Sequence, residues 1–461
     1  MPLGERGRTY ALFTIVVLGC AAGALVQTAM NAMLAVVEAD FGVDASIGQW
    51  LTTSYMLVLG VTVPTVTYFS KRFSIRSLVI FALSVFALAC VVSAASPTFG
   101  VLLGSRIAQA IATGLTMPLL QTIAVTRFPE GRHGTAMGIS GIAMGFAPNV
   151  GPLVGGVVIA TMGWRAFYVV LVVFTGILVL LAFLLVERPS ASGDGPHDSS
   201  EVTLDAMSVA LSTFGFGGLL MGFSNASSTS LSSPLVWAPV LAGAAFLAAF
   251  IARQRTAAHP LIHLSIFSSW RYRASFVAQV CLFASFMGIT LVVPLFVEGC
   301  QGGTSLEAGY VFIPTTVLAL FVNPLAGVLA DKFGARPVVV TASACLFLGG
   351  LSMVFVTEST PIWLLALEQG VRGGGVSALI GPLNSWGMKG LAREVTMDGS
   401  AFFVACRQAC ASLGTALMVL AITLAGAALG DGAAVCYRLA FAISAVFALV
   451  VFVTAVAKIR D

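Results

Sequence analysis

What most restricts this chain is a succession of long apolar runs with short polar breaks, at about 10–37, 46–69, 77–95, 98–126, 135–160, 166–186, 204–224, 235–252, 274–297, 306–330, 337–356, 360–386, 398–429 and 433–457. A helix crossing hydrocarbon needs about 20 apolar residues, roughly 30 Å at about 1.5 Å per residue. Fourteen such runs in 461 residues leave room only for short loops, so the expected fold is an all-α polytopic membrane protein with 14 transmembrane helices and no sizeable extramembrane domain. Charged residues make up 9% of the chain, against about 25% in soluble domains. The first run, from Tyr10 to Val37, is too long for the apolar region of a signal peptide and reads as a span.

Lysine and arginine gather in cytoplasmic loops, and here they alternate almost without exception. Taking the loops in turn, one side holds eighteen basic residues, among them Arg6, Arg8, Lys71, Arg72, Arg127, Lys332 and Lys389, and the other holds Arg165 alone. Both termini are therefore expected in the cytoplasm, with the chain in the plasma membrane. The net charge is only +4 and sits in short clusters, so no basic face remains for nucleic acid. Cys20, Cys90, Cys281, Cys345, Cys406 and Cys410 lie inside apolar runs, and His133, His197, His259 and His263 lie in loops. No disulfide framework, metal site or cofactor is expected, and no nucleotide-binding loop or nucleophile elbow marks an enzyme.

An internal repeat divides the chain. Residues 64–76 read PTVTYFSKRFSIR and residues 324–336 read PLAGVLADKFGAR, with Pro, Phe and Arg recurring at the first, tenth and thirteenth positions and a basic residue at the ninth. Both segments close a span running toward the basic side. This predicts two six-helix units, 1–186 and 256–461, with a Gly/Ser/Pro-rich linker at 187–203 and two inserted helices at 204–255.

Several stretches carry a more specific signature. The second-half loop GVLADKFGAR holds Gly327, Asp331, Lys332, Gly334 and Arg336; its glycines permit a tight turn, and Asp331 can receive a helix N-terminus or a basic partner. The fifth span reads GFAPNVGPLVGG, with Gly145, Pro148, Gly151, Pro152, Gly155 and Gly156, small residues for close packing and prolines that break the helical ladder. The fourth reads RIAQAIATGLTMP, with Arg106 and Gln109. HPLIHLSIFSSWRYRASF precedes the ninth span, SLEAGYVFIP begins the tenth, and RQACASLGTA, with Arg407 and Gln408, lies in the thirteenth. In these motifs the chain resembles the major facilitator superfamily, and within it the fourteen-helix drug:proton antiporters of the multidrug efflux type. The resemblance covers essentially the whole chain. It implies the major facilitator fold, two six-helix bundles plus two inserted helices, with a cytoplasmic gate at Asp331, an antiporter motif in the fifth span and a cavity arginine at Arg106.

The departures from that pattern are equally specific. The first span, VQTAMNAMLA, has Val26 where the family carries an acid and Ala35 where it carries proline. In the first-half loop Thr67, Lys71 and Ser74 replace glycine, acid and glycine, so the gate is expected to rest on Asp331 alone.

Arg106, Arg372, Arg407 and Arg438 fall within spans, and Glu368 is the one acid well inside. Buried charges are costly and face a protein interior or a cavity. Arg106 is expected to face the central cavity at a depth of about 12 Å. Glu368 precedes Arg372 by one helical turn. One reading makes Glu368 the proton site and Arg372 its competitor; the other makes them a static ion pair. Gln27, Asn31, Asn149, Gln279, Asn323 and Asn384 either line the cavity or bind helices together. Thirty-two phenylalanines suit flat apolar compounds, while Arg106, Arg372 and Arg407 against one acid favour neutral or anionic ones.

The expected function is a monomeric secondary-active exporter of small amphipathic compounds, coupled to protons, in the lipid bilayer. The alternatives are an exporter of a specific metabolite, lipid or anion without proton coupling, and a non-transporting sensor or scaffold.

Overall fold

The computed structural model describes residues 5–48, 50–185, 205–226, 233–257, 260, 262–429 and 433–460. The linker predicted at 187–203 lies outside them, and Asn31, Lys71, Pro152 and Gly156 are described by their backbone alone. Every regular element among the described residues is helical. The first half comprises α1 (Glu5–Phe41), α2 (50–72), α3 (Ile75–Ala94), α4 (Phe99–Thr126), α5 (133–162) and α6 (Trp164–Leu185). A hairpin of α7 (Ala206–Ala226) and α8 (Pro234–Thr256) follows. The second half comprises α9 (Trp270–Gly299), α10 (Ser305–Phe333), α11 (Ala335–Ser352), α12 (Ile362–Met388), α13 (Thr396–Leu429) and α14 (Ala434–Lys458).

Ten of these helices are long and apolar enough to cross a membrane. The other four predicted spans are α2, α5, α7 and α12. Two of them are broken at proline. In α2 a 3-10 turn, Val63–Thr65, contains Pro64. In α5 a π turn, Ile142–Phe146, precedes Pro148, and the Ala147 amide reaches back five residues to the Ile142 carbonyl. Proline has no N–H for the i−4 bond, and the widened turn takes up that gap in the ladder.

Each half packs largely on itself, with α1 against α5, α4 and α6 in the first and α12 against α10, α11 and α9 in the second. The halves meet along two seams: α5 against α10 and α12, and α13 against α2 and α4. The hairpin closes on itself where Gly215, Gly218, Gly222 and Gly243 bring the two backbones together, and α7 lies against both α2 and α13. Large apolar side chains stay exposed on the outer faces, including Val170, Val173, Leu184, Trp237 and Leu241, a surface that suits hydrocarbon better than water.

Because successive helices reverse direction, the loops with Arg127, Arg132, Lys332, Arg336, Lys389 and Arg393 share one end, here called the basic end. At the opposite end Arg165 pairs with Asp40 at 2.7 Å, and the Trp164 indole donates to the same carboxylate at 3.1 Å. The bond from Arg165 holds the Asp40 carboxyl below the usual carboxylate range.

Candidate functional site

At the basic end the sequence motif of the second half closes on the first half. Asp331, in the last turns of α10, receives the N-terminus of α5: Gly134 N–H donates to Oδ1 at 2.8 Å, Thr135 N–H to Oδ2 at 2.6 Å, and the Thr135 hydroxyl to Oδ2 at 2.7 Å. The first amides of a helix have no partner within it, and its positive end favours a carboxylate. Glycine lets the backbones come this near. A Cβ on Gly138 would lie 2.6 Å from the Asn323 carbonyl oxygen and 3.0 Å from Gly327 Cα, and one on Gly327 would overlap the Gly134 carbonyl. A Cβ on Gly381 of α12 would come within 2.8 Å of Gly138 Cα. Gly334 continues the motif at φ +88°, the one residue linking α10 to α11. Lys332 is exposed and lies over the Phe333 ring at 5.1 Å, and Arg336 is exposed beside it.

Three arginines are buried deeper in the helices. Arg106 of α4 is fully enclosed within the first half. Its guanidinium donates to the Leu51 carbonyl, the Val26 carbonyl and Gln109 Oε1, each at 3.2 Å, and lies 4.4 Å from the Tyr55 ring centroid. The Val26 backbone thus supplies an acceptor at the position where an acid was expected by resemblance. Gln109 in turn donates to Ser93 Oγ at 2.9 Å. The expectation that Arg106 faces the cavity between the halves is corrected by these contacts, all within the first half.

Arg372 of α12 is likewise fully enclosed and turns to α9, where it donates to the Ser285 carbonyl at 2.8 Å and to its hydroxyl at 3.0 Å. Arg407 of α13 alone of the three reaches the other half. Its Nη1 contacts Met144 Sδ of the π turn at 3.2 Å, and its guanidinium lies 4.3 Å from the Phe283 centroid.

The antiporter motif binds helices together. Gly151 and Gly155 bring α5 onto the α1 backbone at Ala29, while Gly145 faces Ile380 and Asn323 of the second half. Asn149 donates to the Gly145 carbonyl at 2.8 Å within its own helix. Gln279 is buried with Nε2 unbonded, whereas Gln27 and Gln408 are half-buried.

The sequence profile of the Major Facilitator Superfamily matches residues 15–415, with a second match over 276–461. The chain belongs to that superfamily. Its members are transporters rather than enzymes, and the ten spans make this one a multi-pass membrane protein. The uncharacterized MFS-type transporter YcnB of Bacillus subtilis is 33% identical over 444 residues, covering 95% of this chain and 92% of YcnB. The lincomycin resistance protein LmrB of the same organism is 30% identical, with 86% of this chain and 82% of LmrB covered. In fold the chain is similar to the human organic anion transporter MFSD10, at TM-score 0.67 over 96% of this chain and 99% of that one, with 15% identity.

Within this superfamily fold, Glu368 sits on the flank of α12 that faces α11, beside Ser352. Its Oε2 is enclosed and has no hydrogen-bond partner. Among the described residues no ion pair joins it to Arg372, so the expected pairing is corrected. The i, i+4 spacing allowed the pair, but Arg372 is captured by Ser285 on α9. The sequence reading also missed Thr135, Met144, Phe283 and the contact of His263 Nδ1 with Asp398 Oδ2 at 2.7 Å. Met144 stands next to the antiporter motif, and His263 lies in the segment before α9; those placements were the available signals.

Proposed function

We infer that this chain is a secondary-active exporter of small amphipathic compounds, exchanging them for protons by alternating access between its halves. The Asp331 latch carries the reading. A carboxylate of one half caps a helix of the other, a contact made or broken as a unit when the halves move. Relatives named for lincomycin and multidrug resistance support the substrate class. On this reading all fourteen helices cross the plasma membrane, 1–186 and 256–461 form the bundles, and a monomer is the working unit. The basic end, with both termini, faces the cytoplasm. Glu368 is the proton-carrying carboxyl, with Arg372 as a fixed positive charge one turn on. The same helix packs against α5 across the seam, so a change of charge there acts on the closed interface through α12.

The test uses the full chain in proteoliposomes with lincomycin, ethidium and naphthalene-1-sulfonate, with and without an imposed pH gradient. At least one compound is expected to accumulate when only the pH gradient is supplied. Glu368→Gln is expected to abolish that accumulation and leave downhill exchange measurable. Accumulation of none of the three overturns the transport reading. A folded Glu368→Gln protein that still concentrates substrate moves coupling to another group.

A further inference from the structure

The three buried arginines are not solvated alike. Arg106 and Arg372 bond backbone and side-chain oxygens. Arg407 is 8% exposed and has no oxygen acceptor among the described residues. A methionine sulfur and the face of Phe283 are its company, and both are weak substitutes for water. The neighbouring groups repeat the deficit. Met144 Sδ also takes the Gln121 amide, at 3.5 Å, and the Gln279 amide has no acceptor among the described residues. Gln279 stands on α9 between Phe276, which stacks on Phe403 of α13, and Phe283, which lies under Arg407. Arg407 and Gln121 of α4 therefore share Met144 of α5, Gln279 stands one helical turn from Phe283 on α9, and among the described residues no carboxylate pairs with Arg407. Arg407 is eleven residues into α13, about 16 Å from its basic end at about 1.5 Å per residue, on the far side of the latch.

An unpaired guanidinium in a low-dielectric interior is costly, and removing its counter-charge is among the most destabilising changes a protein can suffer. A site that keeps such a charge against sulfur and π faces is incomplete without an anion. We propose that the site between the halves binds an organic anion, the sulfonate, carboxylate or phosphonate head group docking on Arg407 and its aromatic body lying against Phe283. This rests on the transport reading and names the substrate class for it. Gln279 and Gln121 supply further donors to the same head group, and a lipophilic cation meets only the positive charge.

The test compares two probes with one ring system and opposite permanent charges, naphthalene-1-sulfonate and 1-naphthyltrimethylammonium, binding to the full chain in non-ionic detergent. The sulfonate is expected to bind the wild type at least about tenfold more tightly than the ammonium. Arg407→Gln is expected to remove that preference, Arg407→Lys to keep part of it, and Gln279→Leu to weaken the sulfonate alone. Equal or tighter binding of the ammonium, no binding of the sulfonate, or an unchanged preference in a monodisperse Arg407→Gln protein overturns the proposal. Binding needs no turnover. A preference that holds while proteoliposomes transport neither probe supports the site and counts against the transport reading alone.

Discussion

The two seams between the halves are built on opposite plans. Where α5 meets α10 and α12, backbone lies on backbone through Gly134, Gly138, Gly327 and Gly381, and a carboxylate caps the approaching helix. Where α13 meets α2 and α4, side chains do the work. Thr67 occupies the place of Gly327 and is buried with its hydroxyl unbonded, Ser400 bonds the Pro118 carbonyl at 3.0 Å, and α7 lies across both helices from outside. The corresponding links between helices differ too. Gly334 turns the chain alone at positive φ, while Ser74 stays extended and caps α3 by accepting from Ser77 N–H at 3.2 Å. One repeat has thus yielded a latch that depends on a few atoms and a broad contact that does not.

That contrast makes its largest prediction at Asp331. Hydrogen bonds to a charged group contribute about 1.5–3 kcal/mol each, and Asp331 accepts three across the seam. Asp331→Asn is expected to reduce flux by at least about tenfold, and Lys71→Asn by less than about twofold. Equal losses at matched expression would break the comparison.

Glycine gives the next effect. A Cβ on Gly327 meets the backbone of Gly134, whereas one on Gly60, on the face of α2 that the hairpin covers, meets only the far end of Leu220. Gly327→Ala is expected to destabilise by about 1–3 kcal/mol, as overpacking does, and Gly60→Ala by much less. Thermal unfolding in detergent measures both, and a Gly60→Ala protein hurt as much as Gly327→Ala would show the hairpin contact to be as tight as the latch seam.

The smallest effect is at the base of the hairpin. Asp205 receives Arg253 through two bonds of 2.9 Å, and this partner holds its carboxyl down to about 2. A lowered carboxyl contributes its stability in full above the ordinary carboxylate range and loses it as pH falls through about 2. The Tm difference between wild type and Asp205→Asn is therefore expected to be small and constant from about pH 5 to 8. A difference that changes across that range would sharpen the comparison by placing a second titrating group at the hairpin base.

The sequence made one seam legible and left the other obscure. Asp331 and its glycines could be read because a cap on a helix N-terminus needs a carboxylate and close approach needs Gly, residue types with few other uses at that spacing. The alternation of Lys and Arg placed the latch end for the same reason. The arginines were legible as buried charges, but their partners were not. Arg106 and Arg372 are held by the carbonyls of Val26, Leu51 and Ser285, and a carbonyl leaves no trace in residue identity. Periodicity brought Glu368 and Arg372 to one face, yet a neighbouring helix offered Arg372 nearer oxygens. The meeting of Met144, Phe283 and Arg407 depends on three helices far apart in sequence, and no local pattern encodes it.

The hairpin of α7 and α8 is fastened at one place and only leans at another. Its base is tied to the strand of chain entering α9, because Gln254 accepts from Ile262 N–H at 3.1 Å and donates to Ser208 at 2.7 Å, and His263 next along holds Asp398 of α13. Against α2 it lays Leu220 over Gly60 and Gly217 near Val61, apolar contacts that fix no hydrogen-bond geometry. On the alternating-access reading proposed above, the hairpin rides as a passenger of the second half. The surface between α2 and α7 then serves as a greased bearing, and a single hydrogen-bonding pair placed across it would act as a brake.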